Sequence, residues 1–111
     1  MDFDLDDTQR AIRDAFARFV DERVAPQAAA IDEAHAFPRE LFAALGGLGL
    51  FGLRYPAEVG GSGLGLPEFA LALEEVARGS MSLAGAAAMQ SLMGTKFLQM
   101  LGNADIVARL L

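Results

Sequence analysis

The residues from Ser80 to Met100 constrain the fold of this chain more than any other segment. They overlap the longest uncharged stretch of the sequence, residues 79–95, and are apolar on nearly every side of a predicted helix. A helix that is apolar all round has to be buried all round. The stretch contains serine and glutamine and is shorter than the roughly 20 mostly apolar residues that span a bilayer. It is therefore predicted to be a buried helix.

A chain of 111 residues can bury such a helix in two ways. Its other helices wrap the apolar helix, or a further domain covers it. Hydrophobic residues make up 53% of the chain and the mean hydropathy is +0.31, which is more apolar than a soluble domain of this size requires. We therefore expect some apolar surface to meet another domain or subunit.

The N-terminal third has the periodicity of a further helix. Asp6 or Asp7 is its expected N-cap, because an aspartate side chain accepts a backbone N–H that would otherwise lack a partner. Pro26 should kink this helix or begin a second piece, which frays near His35. The apolar stripe of the helix consists of Ile12, Phe16, Phe19, Val20 and Val24.

Two later prolines mark helix starts. Pro38 is predicted at the first position of a helix that ends close to Gly46 and Gly47, and Pro67 is predicted to start a helix that ends at Gly79. The remaining segments are a short extended piece at 50–55, a glycine-rich loop at 56–65, a stop and an N-cap at Gly102 and Asn103, and a last helix at 104–111.

Together these segments predict one all-α domain over residues 1–111. The expected architecture is an orthogonal bundle of about five or six helices with no large sheet. On the helix that Pro67 starts, Glu74 and Arg78 are expected to pair at i,i+4 spacing.

Charge and composition exclude several classes of function. Acidic residues outnumber basic ones 15 to 9 for a net charge of -6, so the electrostatic footprint of a nucleic-acid binder is missing. With no cysteine and one histidine, the chain has no disulfide, no thiolate nucleophile and no expected metal site. The acidic start has no secretory signal, and a cytoplasmic location is expected.

No residue pattern predicts catalysis within this chain. The glycines from Gly61 to Gly65 do not have the spacing of a phosphate-binding loop and are interpreted as a tight turn. Glu74 and Glu75 diverge by about 100° on a helix and do not face one substrate together. No serine lies in a nucleophile elbow.

The apolar helix itself has two interpretations. Its methionines and phenylalanines fill a core, which is the more common use, or they form the wall of an apolar ligand pocket. The run Ala84–Ala88 has minimal side chains and leaves space on a buried helix. A neighbouring helix or an acyl chain is expected to fill that space.

Short motifs follow one another along the whole chain in a characteristic order. They are Phe3-Asp4-Leu5 with Gln9-Arg10, Val24-Ala25-Pro26, Phe37-Pro38-Arg39-Glu40-Leu41, Leu45-Gly46, Leu48-Gly49-Leu50, Tyr55-Pro56, Glu58 with Gly60-Gly61, Gly63 and Leu64, Leu73-Glu74-Glu75-Val76-Ala77-Arg78, Ser91-Leu92, and Gly102-Asn103. In this order and spacing the chain resembles the N-terminal α-helical domain of the acyl-CoA dehydrogenase family.

The resemblance implies a larger flavoenzyme. In that family an all-α N-terminal domain precedes a middle β-barrel and a C-terminal four-helix bundle, and FAD is bound mainly by the latter two at a subunit interface. A carboxylate base removes the α-proton of an acyl thioester, and the β-hydrogen leaves as hydride to the flavin. The base lies beyond the N-terminal domain, so the segment alone is expected to be inactive, with no catalytic and no FAD-binding residue.

What the resemblance assigns to this stretch is interdomain packing and part of the acyl-pocket wall. By the Ser91-Leu92 match, Leu92 and the positions one and two turns earlier, Ala88 and Ala84, are expected to face the acyl tail. Thr95 is a weaker candidate. A register shift of one would substitute Met89 and Gly85. Some relatives have larger polar residues that close the pocket floor at these positions, whereas this sequence has small ones. The expected substrate therefore carries a long or bulky acyl group.

Expected partners are an acyl-CoA or other acyl thioester, the remaining domains and, when complete, further copies in a dimer or tetramer. The expected pathway is fatty-acid metabolism. One departure is at 103–107, where apolar residues replace a polar pair typical of the family. Acyl-CoA oxidases and flavin monooxygenases on the same scaffold therefore stay open alternatives. So does a stand-alone helical module that binds a hydrophobic ligand or a partner protein without catalysis.

Overall fold

The computed structural model describes residues 4–110, so Phe3 of the first motif and Leu111 of the last predicted helix lie outside the described residues. Within that range every regular element is helical. The α-helical segments are α1 Asp7–Phe19, α2 Ala28–Ala34, α3 Arg39–Gly47, α4 Leu66–Gly79, α5 Met81–Ala88, α6 Thr95–Leu101 and α7 Ala104–Leu110.

These segments form five helical rods, at 7–34, 39–47, 66–79, 81–101 and 104–110. The first rod contains α1 and α2, and the fourth contains α5 and α6. The predicted all-α class with about five or six helices is thereby confirmed.

Asp6 caps α1 through a reciprocal pair of hydrogen bonds. The Gln9 N–H donates to Asp6 Oδ1 at 2.7 Å, and the Asp6 N–H donates to Gln9 Oε1 at 3.0 Å. This capping box satisfies two backbone donors that have no partner inside the helix. Of the two predicted N-caps, Asp6 is therefore correct, while Asp7 lies in the first turn and pairs with Arg10.

The first rod changes its helical form around Pro26. A π turn at Val20–Val24 and a 3-10 turn at Ala25–Gln27 connect α1 to α2. A proline has no N–H to donate, and its ring clashes with the carbonyl four residues earlier, so a regular α-helix cannot continue through it. The predicted two-piece helix is confirmed, and α2 ends where His35 takes a left-handed φ of 52°.

Pro38 is the N-cap residue of α3, whereas the sequence predicted it at the first helical position. The helix therefore starts one residue later than predicted, at Arg39. The predicted extended piece after α3, at 50–55, is wrong because these residues form turns. Leu50 and Leu53 are both buried, although residues three apart on a strand would point to opposite faces. The turns bring both side chains to the same core.

α4 follows its predicted boundaries, with Pro67 in its first turn and Gly79 at its end. The predicted Glu74–Arg78 pair is wrong. Arg78 instead contacts Glu75 at 2.8 Å and Asp21, beyond α1, at 2.9 Å, and hydrogen bonds to these carboxylates raise the pKa of Arg78. Arg78 pairs with Asp21 of the first rod and with Glu75, and Glu74 stays exposed.

The core lies where the first rod, α4 and α5 meet. Gly79 allows the closest approach between the first and third rods, since a Cβ atom at this position would lie 2.6 Å from Val20 Cγ1 and 3.0 Å from Val24 Cγ1. The largest fully buried side chains are Leu45, Leu50, Leu83, Val20, Val24, Val76 and Ser91.

The rod at 81–101 is buried on one side only. A π turn at Met89–Gly94 joins α5 to α6. The buried positions are Leu83, Ala84, Ala87, Ser91 and Thr95. The large exposed side chains are Met81, Met89, Leu92, Met93, Phe97 and Met100. The prediction that this rod is buried on every side is therefore wrong within the described residues. The other described helices cover only one side of it.

The last rod begins as the sequence predicted. α6 ends at Leu101, directly before Gly102. The side chain of Asn103 then accepts a hydrogen bond from the Ile106 N–H at 2.9 Å and caps α7.

Candidate functional site

An apolar groove runs between α4 and α5, and we call it the α4–α5 groove. Its volume is about 400 Å³. It is lined by Ala70, Leu73, Glu74 and Ala77 of α4 and by Met81, Ala84, Gly85 and Ala88 of α5. Small side chains on both helices leave room for a hydrocarbon group or a flat ring. Burial of apolar surface there contributes about 25 cal/mol per Å².

The structure brings together two of the four residues that the resemblance assigned to the acyl pocket. Ala84 and Ala88 lie side by side in the α4–α5 groove, and Gly85, one of the register alternatives, lies between them. Leu92 lies one turn further along the rod, is 41% exposed and is not among the residues that line this groove. Thr95 is buried and lies in a different cavity.

A second apolar groove has aromatic walls, and we call it the aromatic groove. Its volume is about 600 Å³. The Phe37 and Phe42 rings stand 5.0 Å apart between centroids and face the π turn of the fourth rod. The groove is lined by Phe37, Phe42, Ala86, Met89, Gln90, Met93, Gly94 and Phe97. Met89, the other register alternative, therefore belongs to this groove.

Sequence reasoning missed Phe37 and Phe42 as residues that line a groove. The available signal was the spacing of Met89, Met93 and Phe97, which are four residues apart and form one exposed stripe. A helix stripe of that kind requires an apolar partner, and the two aromatic rings supply one side of it.

A third cavity, of about 280 Å³, lies under Tyr55. The Tyr55 hydroxyl is 2.8 Å from the Ser91 carbonyl oxygen and 2.7 Å from Thr95 Oγ1. The Ser91 hydroxyl donates to the carbonyl oxygen of Phe51 at 3.1 Å. In the sequence Tyr55 belongs to a motif and to the predicted extended piece, and the signal for a special role is that it is the single tyrosine of the chain. These contacts attach the loop after α3 to the fourth rod.

The glycine-rich loop holds its own backbone and does not cradle a phosphate. The N–H groups of Gly60, Gly61 and Gly63 donate to carbonyl oxygens of the loop itself, and the Gly65 N–H donates to Glu68 Oε2. Gly60 and Gly63 have the positive φ values, 86° and 68°, that a tight turn needs. The tight-turn interpretation is confirmed, and the loop does not fit the phosphates of a flavin cofactor.

The described residues hold no helix that is both long and apolar enough to cross a bilayer. Fold and grooves together define a helical domain with exposed apolar surface. The sequence matches the family described as "Acyl-CoA dehydrogenase, N-terminal domain" over residues 6–111. The chain belongs to the acyl-CoA dehydrogenase family and corresponds to the N-terminal domain of its members.

Individual relatives agree with this assignment. The chain is 78% identical over 110 residues to benzylmalonyl-CoA dehydrogenase of Aromatoleum aromaticum. This match covers 99% of the present chain and 29% of that protein. A chain solved in work on the electron transferring flavoprotein of Acidaminococcus fermentans superimposes with a TM-score of 0.91 at 28% identity, over 99% of this chain and 29% of that one.

Butyryl-CoA dehydrogenase of Megasphaera elsdenii has the same fold. It superimposes with a TM-score of 0.89 at 24% identity, over 99% of this chain and 30% of that one. The present chain thus spans less than a third of the length of these three relatives.

Proposed function

We propose that this chain is the N-terminal domain of a flavin-dependent acyl-CoA dehydrogenase that oxidises the α,β bond of an acyl thioester. The α4–α5 groove carries the proposal, because it presents Ala84 and Ala88, two of the positions expected to face the acyl tail, on an apolar surface. The contribution of the domain is to shape a dry wall against which the acyl group packs. The carboxylate base is expected outside this chain.

We further propose that the substrate carries an aromatic ring on its acyl group. The support is the 78% identity to benzylmalonyl-CoA dehydrogenase together with the small side chains that line the α4–α5 groove. Five of the eight residues that line this groove are alanine or glycine, and such small side chains leave room for a phenyl ring in an apolar site. The expectation of a bulky acyl group is in keeping with this substrate class. Fatty-acid metabolism would be the pathway only if the acyl group were a plain hydrocarbon chain.

The complete protein is proposed to bind FAD through residues outside this chain, as the resemblance to the acyl-CoA dehydrogenase family implies. The aromatic groove and the exposed side chains beside it are proposed to pack against the remaining domains. A homo-oligomer, a dimer or tetramer, and a cytoplasmic location are parts of the same proposal. The absence of cysteine suits a reducing compartment.

The test uses the purified full-length protein that contains this domain. Flavin absorbance near 450 nm is recorded first, and oxidation of benzylmalonyl-CoA and butyryl-CoA is then followed with an artificial electron acceptor. The proposal predicts bound flavin and a higher kcat/KM with benzylmalonyl-CoA. A flavin-free protein that oxidises neither thioester would contradict it and would favour the stand-alone helical module.

A further inference from the structure

The fourth rod contains a π turn at Met89–Gly94, directly after Ala88 of the α4–α5 groove. In this turn the backbone N–H groups bond five residues back, as the Thr95 N–H does to the Gln90 carbonyl oxygen. Turns of this kind are rare, occur mostly as single widened turns inside α-helices and are often found at functional sites. The turn therefore calls for a physical cause.

Three buried hydroxyl groups surround the turn. The Tyr55 hydroxyl donates to the Ser91 carbonyl oxygen at 2.8 Å, and the Thr95 hydroxyl donates to the Gln90 carbonyl oxygen at 2.9 Å. The two hydroxyl oxygens stand 2.7 Å apart. The third hydroxyl belongs to Ser91 and donates to the carbonyl of Phe51. The Ser91 carbonyl therefore accepts from a side chain of a distant loop, whereas the Gln90 carbonyl accepts from both the N–H and the hydroxyl of Thr95.

The widened turn also aligns the buried side of the rod. Ala87, Ser91 and Thr95 are four residues apart and all buried, whereas a regular α-helix with 3.6 residues per turn would rotate each by about 40° from the one before. The π turn absorbs this drift. Leu92 follows Ser91 within the same turn, so whatever fixes Ser91 also fixes the direction of Leu92.

We infer that Tyr55 is a positioning residue for acyl-group selection. Its hydroxyl holds the π turn, and the turn sets the direction of Leu92, which lies outside the α4–α5 groove and four residues after Ala88, the last residue of α5 that lines it. Tyr55 acts through the turn and does not touch the substrate, because its side chain is 4% exposed and lies on the loop side of the rod. This inference rests on the proposed function of the α4–α5 groove.

The test compares Tyr55→Phe with the wild type in the full-length enzyme. Hydrogen exchange of peptides covering residues 89–96 reports on the turn, and KM and kcat are measured with benzylmalonyl-CoA and butyryl-CoA. Loss of one neutral hydrogen bond predicts exchange about three- to tenfold faster in the turn and a change of similar size in the ratio of the two KM values. The kcat values should stay within about twofold.

A control separates positioning from general destabilisation. Val76→Ala removes buried volume from α4 in the core, so it should lower the melting temperature without changing the KM ratio. Thr95→Val removes the second hydroxyl and should act in the same direction as Tyr55→Phe, which keeps the test decisive if Tyr55→Phe fails to fold.

The outcomes for Tyr55 and for the proposed function are distinct. Unchanged exchange in the turn, or an unchanged KM ratio in an active enzyme, would overturn the role of Tyr55 alone. A wild type that oxidises neither thioester would contradict the proposed function, and the acyl-positioning role of Tyr55 with it.

Discussion

Gly61 has no room for a side chain. A Cβ atom at this position would lie 2.1 Å from the Tyr55 carbonyl oxygen and 2.7 Å from that of Gly52. Both contacts are with backbone, which cannot move away without breaking the hydrogen bonds of the loop. The loop that carries Tyr55 therefore depends on glycine at this residue.

Gly61→Ala is expected to lower the free energy of unfolding by about 3 kcal/mol or more, as severe local overpacking does. Gly47→Ala is the matched control, because a Cβ atom at Gly47 meets nothing within 4 Å and alanine favours a helix over glycine by about 1 kcal/mol. Thermal unfolding of both variants, followed by circular dichroism, measures the difference. Equal melting temperatures for the two variants would show that the loop does not approach Gly61 this closely.

At the same scale, local sequence signals predicted single residues well where the interaction partner is near in sequence. Asp6 and Gln9 form their capping box within one turn, so the N-cap was predictable. Tyr55 and Ser91 are 36 residues apart, and a periodic pattern contains no information on such a pair. Arg78 was misassigned in part for the same reason, because it pairs with Asp21 of another helix as well as with Glu75 of its own.

At the scale of elements, the contact between α4 and the first rod depends on Gly79. Gly79→Ala places a methyl group against Val20 Cγ1 at 2.6 Å and is expected to cost about 1–3 kcal/mol of unfolding free energy. Val20→Ala makes room for that methyl group, but alone it lowers the free energy of unfolding because it leaves a cavity in the core. In a double-mutant cycle the double variant should be more stable than the sum of the two single changes predicts, and strict additivity would contradict the close contact.

Helix ends were predictable because prolines, glycines and capping residues act locally. Pro67, Gly79 and Asn103 each mark a boundary within the expected turn. The π turn near Ser91 was not predictable, because the Tyr55 hydroxyl and the Phe51 carbonyl that contact it belong to a distant loop. The extended piece at 50–55 was wrong, since tertiary burial of Leu50 and Leu53 outweighed the local pattern.

At the scale of the whole molecule, the described residues leave half of the fourth rod uncovered. The isolated 111-residue chain is therefore expected to self-associate, because large exposed apolar patches associate in water. Met93→Lys combined with Phe97→Lys should reduce the particle size in dynamic light scattering, since both residues are more than half exposed in the aromatic groove.

Leu66→Lys is the control for self-association. Leu66 is 60% exposed but lies outside the aromatic groove, so its replacement should leave the particle size unchanged. A wild-type chain that stays monomeric at all concentrations would indicate that this surface does not need a covering domain.

The apolar excess of the composition predicted this uncovered surface, and the small residues at 84–88 predicted open space beside α5. Neither signal located the partner helix. The α4 side of the groove, with Ala70, Leu73 and Ala77, follows from the angle at which α4 and α5 pack, and that angle depends on the Ser80 connection and the core beneath it. The sequence therefore predicted the α5 side of the groove but not the α4 side.

The central claim is that the α4–α5 groove binds the acyl group, and Ala88→Phe in the full-length enzyme tests it most directly. The added ring fills the groove, so the KM for benzylmalonyl-CoA should rise about tenfold or more, and the KM for butyryl-CoA should rise less. Ala15→Phe, at an exposed position of α1, is the matched control and should change neither. Unchanged KM values for Ala88→Phe would contradict the account.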